Sequence, residues 1–159
     1  MSQYVVFSNL AGTPSPTTPP TSSTHPLFTS GTWTPTATPE SGTLGTVTAM
    51  GQTRQGEGVL FFSLRILIAG RGTATGSLTF GGLPEVPTSL VPCGVTMRYN
   101  YVIYPNGYID LKLLFIKATA NFQLVANGRG IPSMILGTEA VPEDASTPFT
   151  IWGGGFTFI

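Results

Sequence analysis

The stretch VLFFSLRILIAGRG, residues 59–72, carries the sequence's strongest fold signal. Its alternate residues Leu60, Phe62, Leu64, Ile66 and Ile68 form one wholly apolar face. The other set is Val59, Phe61, Ser63, Arg65 and Leu67. A strand with one wet face alternates cleanly between apolar and polar residues. This one does not, so the second face is expected to be covered as well. A second copy of the same chain is the natural cover.

The residues after this strand exclude a phosphate loop. GRGTATG, 70–76, places glycines after a strand. A dinucleotide site then needs a helix whose N-terminus holds the pyrophosphate. Here GSLTFGGLP continues instead: Thr73, Thr75, Ser77 and Thr79 share one face, and Ala74, Leu78 and Phe80 the other. That period is a strand.

Further strands are expected at 44–50, 74–80, 93–104, 108–118, 121–126 and 149–159, separated by Gly, Pro and Asn signals. The segment LKLLFIKATANFQLVANG is dense enough in leucine to be argued as a helix, although Gly128 closes it. Asn106-Gly107 in YVIYPNGYIDLKLLF fits a two-residue type I′ hairpin. Pairing outward puts Val102, Tyr104, Ile109, Leu111 and Leu113 on a core face. It leaves Tyr99, Tyr101, Ile103, Asp110, Lys112 and Leu114 on a tyrosine-rich face suited to protein contact.

Composition narrows the class. The chain has 159 residues, 41% of them hydrophobic and only 9% charged, with seven basic and seven acidic residues cancelling. An ordinary domain carries ~25% charge. No electrostatic case for nucleic acid or an anionic membrane arises. A surface so poor in charge is sticky when left bare, which again points to cover by other chains. No secretory leader and no membrane-length apolar run is expected.

The first 39 residues hold no Lys, Arg, Asp or Glu. TPSPTTPPTSSTHP, 13–26, has the composition of a stiff polyproline-like tether. Ahead of it, YVVFSNL is apolar and β-prone. Tyr4, Val5, Val6, Phe7 and Leu10 are therefore expected to dock on a neighbouring subunit, for example by adding a strand to its sheet. The expected division is an extended docking arm over 1–30 and a β-sandwich trimerisation domain over 31–159.

Candidates for chemistry are few. His25 is the single histidine and lies in the tether, and Cys93 is the single cysteine, so no internal disulfide forms. Glu143-Asp144 lacks the spaced ligands of a calcium loop. A serine nucleophile has no base within the domain, and no other acids are paired in sequence. No catalytic residue, cofactor or metal is expected.

Three segments taken together resemble a known family. GTWTPTATP, GVLFFSLRILIAGRGTATGSLTFGGLP and the closing FTIWGGGFTFI resemble a β-sandwich domain of bacteriophage virion appendages, found at the C-terminal ends of tail fibres and spikes. The resemblance covers roughly residues 31–159 and is most specific at 59–84. It implies an all-β, antiparallel, jelly-roll-like sandwich that is trimeric, non-enzymatic and attached through N-terminal sequence. The rod of a long fibre is missing, which favours a short knob on a capsid or tail.

The expected function is thus a virion structural protein, assembled in the host cytoplasm. As a homotrimer it would decorate or cement the head or form a short fibre, with its arm on a capsid or tail protein. Phe61, Arg65, Leu67, Tyr99 and Tyr101 are the expected trimer contacts. The alternative is a receptor-binding adhesin for a host glycan or protein, with loops 81–92 and 137–148 at its distal end. A polysaccharide-cleaving enzyme resting on Glu143 or Asp144 is the third possibility.

Overall fold

The computed structural model describes residues 28–104 and 106–159. They form an antiparallel β-sandwich of two sheets. The strands are β1 (Thr29–Trp33), β2 (Thr36–Ser41), β3 (Thr46–Gly56), β4 (Val59–Ala69), β5 (Thr75–Gly81), β6 (Cys93–Asn100), β7 (Tyr108–Phe115), β8 (Phe122–Gly128), β9 (Ile131–Ile135) and β10 (Phe149–Phe158). The first sheet has the order β1-β3-β4-β10-β6. The second has the order β2-β5-β8-β7, with β9 also pairing β8.

β4 occupies the span that its alternation dictates, at the centre of the first sheet. Its five inward residues, Leu60, Phe62, Leu64, Ile66 and Ile68, are all buried. They meet Phe149 and Ile151 from β10 and, from the second sheet, Leu78, Phe80, Leu111, Leu113, Phe115, Phe122 and Leu124. Phe80 and Phe122 stack with centroids 5.4 Å apart, at the single residue pair that registers β5 against β8. Each such buried side chain contributes about 1.5–3 kcal/mol of transfer free energy. The core is therefore hydrophobic in origin and needs no staple.

The hairpin expected at Asn106-Gly107 does not form. β6 pairs β10 in the first sheet, whereas β7 pairs β8 in the second. Residues 101–104 carry the chain from one sheet to the other, and Tyr101 turns it with φ of 52°. The long pairings available on β10 and β8 outweigh the local turn preference of Asn-Gly. A tight hairpin forms instead between β3 and β4, through Glu57 (φ 51°) and Gly58 (φ 75°). Both are left-handed, as a type I′ turn requires.

The helix weighed for LKLLFIKATANFQLVANG is absent; β7, a turn and β8 take its place. Leu111 and Leu113 face the core while Asp110 and Lys112 face out, so the facial sorting of β7 holds although its partner differs. β1, β2 and β9 are additional to the strands expected. The first strand among the described residues begins at Thr29.

Candidate functional site

Inter-strand register assembles the outer face of the first sheet into rows that cross the strands. Nearest the β3–β4 turn, Phe158 pairs with Val59, and Phe156 pairs with Phe61, which pairs with Arg54. Phe28 packs edge-on against Phe61 at 5.8 Å, Phe61 lies 5.6 Å from Phe156, and Phe156 lies 6.4 Å from Phe158. Arg54 sits over the Phe28 ring at 5.6 Å. Phe61 is 42% exposed and Phe158 is 50% exposed. Four phenylalanines thus make one connected aromatic patch open to water.

The next row is polar and low: Thr32, Gln52, Ser63, Gly154 and Thr96 run across all five strands. Gly154 has no alternative there. A Cβ would stand 2.5 Å from the Phe62 carbonyl oxygen, so β4 approaches β10 too closely for a side chain. A shallow trough of about 890 Å³ lies between this row and the aromatic one, bordered by Arg54, Phe61, Ser63, Gly94, Gly155 and Phe156. Beyond it come Met50, Arg65, Trp152 and Arg98, and then Thr48, Leu67, Thr150 and Asn100.

The expected contact residues divide on this frame. Phe61 and Arg65 are exposed and Leu67 is half-buried, all on the outer face. Tyr99 pairs with the buried Ile151, so it turns inward and packs edge-on against Tyr104 at 5.6 Å. Tyr101 is exposed but lies in the crossover, off the sheet. The structure brings together three of the five and adds Phe28, Phe156 and Phe158. Alternation in FTIWGGGFTFI shows that aromatics share a face; only non-local register shows that this face is that of Phe61.

Tyr4, Val5, Val6, Phe7, Leu10 and His25 lie outside the described residues. Cys93 is exposed at the edge of the first sheet. The acids at 143–144 are engaged locally. Glu143 accepts from the Arg71 guanidinium, and Asp144 accepts from the hydroxyl and then the amide of Ser146, which hold its pKa below the ordinary range. Glu40 is likewise lowered by the amide and hydroxyl of Ser77. Burial raises the pKa of Tyr104, whose hydroxyl is shut off from water without a partner among the described residues, and Tyr99 beside it adds to the shift. Among the described residues no group of three or more His, Cys, Asp or Glu comes together as a metal site would need.

The two loops expected to share a distal tip lie at opposite poles. Loop 82–92 joins the β3–β4 turn end, through Gln55 to Glu85 and the Thr88 amide to the Phe158 carbonyl. Loop 136–148 joins the other end, where the Arg71 amide donates to the Pro142 carbonyl. The length of the strands separates the two poles, so one tip cannot use both.

No protein-family model matches the sequence, and neither does any curated protein sequence. Among solved structures, the chain is similar in fold to part of the Dettilon tailspike protein, with a TM-score of 0.61 at 18% identity. The match covers 82% of this chain and 24% of that one, so the chain spans about a quarter of the tailspike's length.

Proposed function

We propose that the chain is a non-enzymatic structural module of a bacteriophage virion: a β-sandwich knob that associates with copies of itself and is held to a larger assembly by residues 1–30. The observation that carries the self-association is the connected patch of Phe28, Phe61, Phe156 and Phe158 on the outer face of the first sheet. Contiguous exposed aromatics on a charge-poor protein are the composition of an interface core. The fold likeness to a tailspike segment supports the placement in a virion appendage.

In this reading three copies meet through the patch centred on Phe61, with Arg65 and Leu67 at its margin. Tyr4, Val5, Val6, Phe7 and Leu10 dock on a capsid or tail protein, and the Pro/Thr tether spans the gap. Three arms on one knob multiply a weak contact by avidity. Deletion of residues 2–12 tests the anchor. The truncated protein should fold and keep the wild-type oligomeric mass but fail to join particles; normal incorporation would refute the anchor.

A further inference from the structure

We infer that Asn106 is a self-modification site, where the folded protein loses ammonia and becomes aspartate and isoaspartate, while the fold protects Asn127. The inference is independent of the self-association proposed above. The chain holds two Asn-Gly pairs, Asn106-Gly107 and Asn127-Gly128. In both, glycine leaves the next backbone nitrogen unhindered by a side chain. Sequence alone therefore gives them the same reactivity, and only the structure separates them.

Asn106 and Gly107 are both exposed, in a turn just ahead of β7. The expected hairpin does not form, so no ladder spans this turn; the first register pair of β7 is Tyr108 with Gly128. The Gly107 amide makes no backbone hydrogen bond among the described residues. Gly107 has φ of 88°, and a Cβ there would meet only the tip of Ile131, at 3.1 Å. The turn also lies at the pole of loop 136–148, since the Ile103 amide donates to the Ala140 carbonyl. That is the pole away from Phe61 and Phe156, so self-association through the aromatic patch leaves Asn106 open.

Asn127-Gly128 is held on every side. It lies half-buried in β8, with Asn127 in register with Asp110 on β7 and Gly128 with Ile131 on β9. The Asn127 Nδ2 donates to the Val125 carbonyl at 3.3 Å, and its Oδ1 accepts from the Ser133 hydroxyl at 2.6 Å. A Cβ at Gly128 would collide with the Gly107 carbonyl oxygen and the Ile131 side chain, so the backbone has little room to turn. The reaction needs that room. The backbone amide nitrogen, as it loses its proton, attacks the asparagine Cγ. The N–Cγ bond forms, the Cγ–Nδ2 bond breaks, and ammonia carries off the proton. Water then opens the cyclic imide at either carbonyl, giving aspartate or isoaspartate, with no oxidant or reductant. In β8 the peptide can present its nitrogen only by leaving the ladder, which requires local unfolding.

The full-length protein should be aged in mildly alkaline buffer, sampled over time, and digested with trypsin. Cleavage after Arg98, Lys112, Lys117 and Arg129 puts the two sites in separate peptides, 99–112 and 118–129. Mass spectrometry reads the replacement of –NH2 by –OH, and fragment ions separate Asn106 from Asn100 and Asn127 from Asn121. Asn106 should convert at least about tenfold faster than Asn127, which must wait for the strand to open. In denaturing urea the two should convert at similar rates. Asn106→Gln should remove the product at that position and leave Asn127 unchanged. Equal rates in the folded protein, or faster conversion at Asn127, would overturn the inference. So would an Asn127 that stays slow in urea, because the strand would then not be what protects it.

Discussion

Gly51→Ala should loosen the sandwich at a single atom. Gly51 lies in register between Trp33 on β1 and Leu64 on β4, with the Trp33 indole laid over it on the inner face. A Cβ at Gly51 would stand 2.1 Å from Nε1, 2.3 Å from Cε2 and 2.6 Å from Cδ1. Ordinary contact begins at 3.4 Å, so the ring must retreat by roughly 1.3 Å, the difference between the first distance and that limit. Trp33 is 8% exposed and closes the edge of the core. Overpacking at so confined a site costs about 3 kcal/mol. For a domain of this size that lowers Tm by about 10 °C. Urea unfolding followed by circular dichroism, at one fixed protein concentration, measures it. Trp33→Leu removes the obstructing ring, so adding Gly51→Ala to that variant should cost at least about 1.5 kcal/mol less than adding it to wild type. A cost of G51A within about 0.5 kcal/mol of zero, or one unchanged by W33L, would refute the packing argument.

Two further outcomes are expected. Glu57 holds a left-handed conformation in the β3–β4 turn; Glu57→Asn should raise stability by about 0.5–1 kcal/mol, because asparagine tolerates that region better. A lower urea midpoint would contradict the turn assignment. Stability should also fall at both ends of the pH range. Glu40 and Asp144 have folded pKa values below their unfolded ones, so their contribution is fully present above the ordinary carboxylate range and is lost as pH falls from there through the lowered folded values. Tyr104 has the opposite shift: the unfolded phenol loses its proton first, so stability drops as pH rises past about 10. Tyr104→Phe should remove the alkaline loss, and E40Q should flatten the acid limb.

The sequence made the central strand legible because its signal is local. Alternation within 59–69 needs no partner to be read, and β4 has those bounds. The same logic sorted Leu111 and Leu113 from Asp110 and Lys112. Pairing partners were less legible, since register between β10 and β4 depends on residues more than 80 positions apart. Asn106-Gly107 offered a turn whose flanking segments had better partners elsewhere, while the β3–β4 hairpin uses Glu57-Gly58, a weaker signal. β1 and β2 were hidden by their Thr/Pro composition, although threonine favours strands and Pro39 sits on the outermost strand of its sheet. Tyr99 was placed on the wrong side because its face was counted from a turn that pairs nothing.

The outer aromatic face is half legible for the same reason. Phe61, Arg65 and Leu67 follow from alternation alone. Phe156, Phe158 and Trp152 join them only through register, and Phe28 only through the entry of β1 beside β3.

Sedimentation velocity on the wild-type protein and on the F61S/F156S variant bears most directly on the aromatic face. Wild type should sediment at three chain masses at micromolar concentration, and the double variant, equally folded by circular dichroism, as a single chain. A wild-type protein that stays a single chain at high micromolar concentration, with Phe61 and Phe158 open to water, would contradict self-association through this sheet.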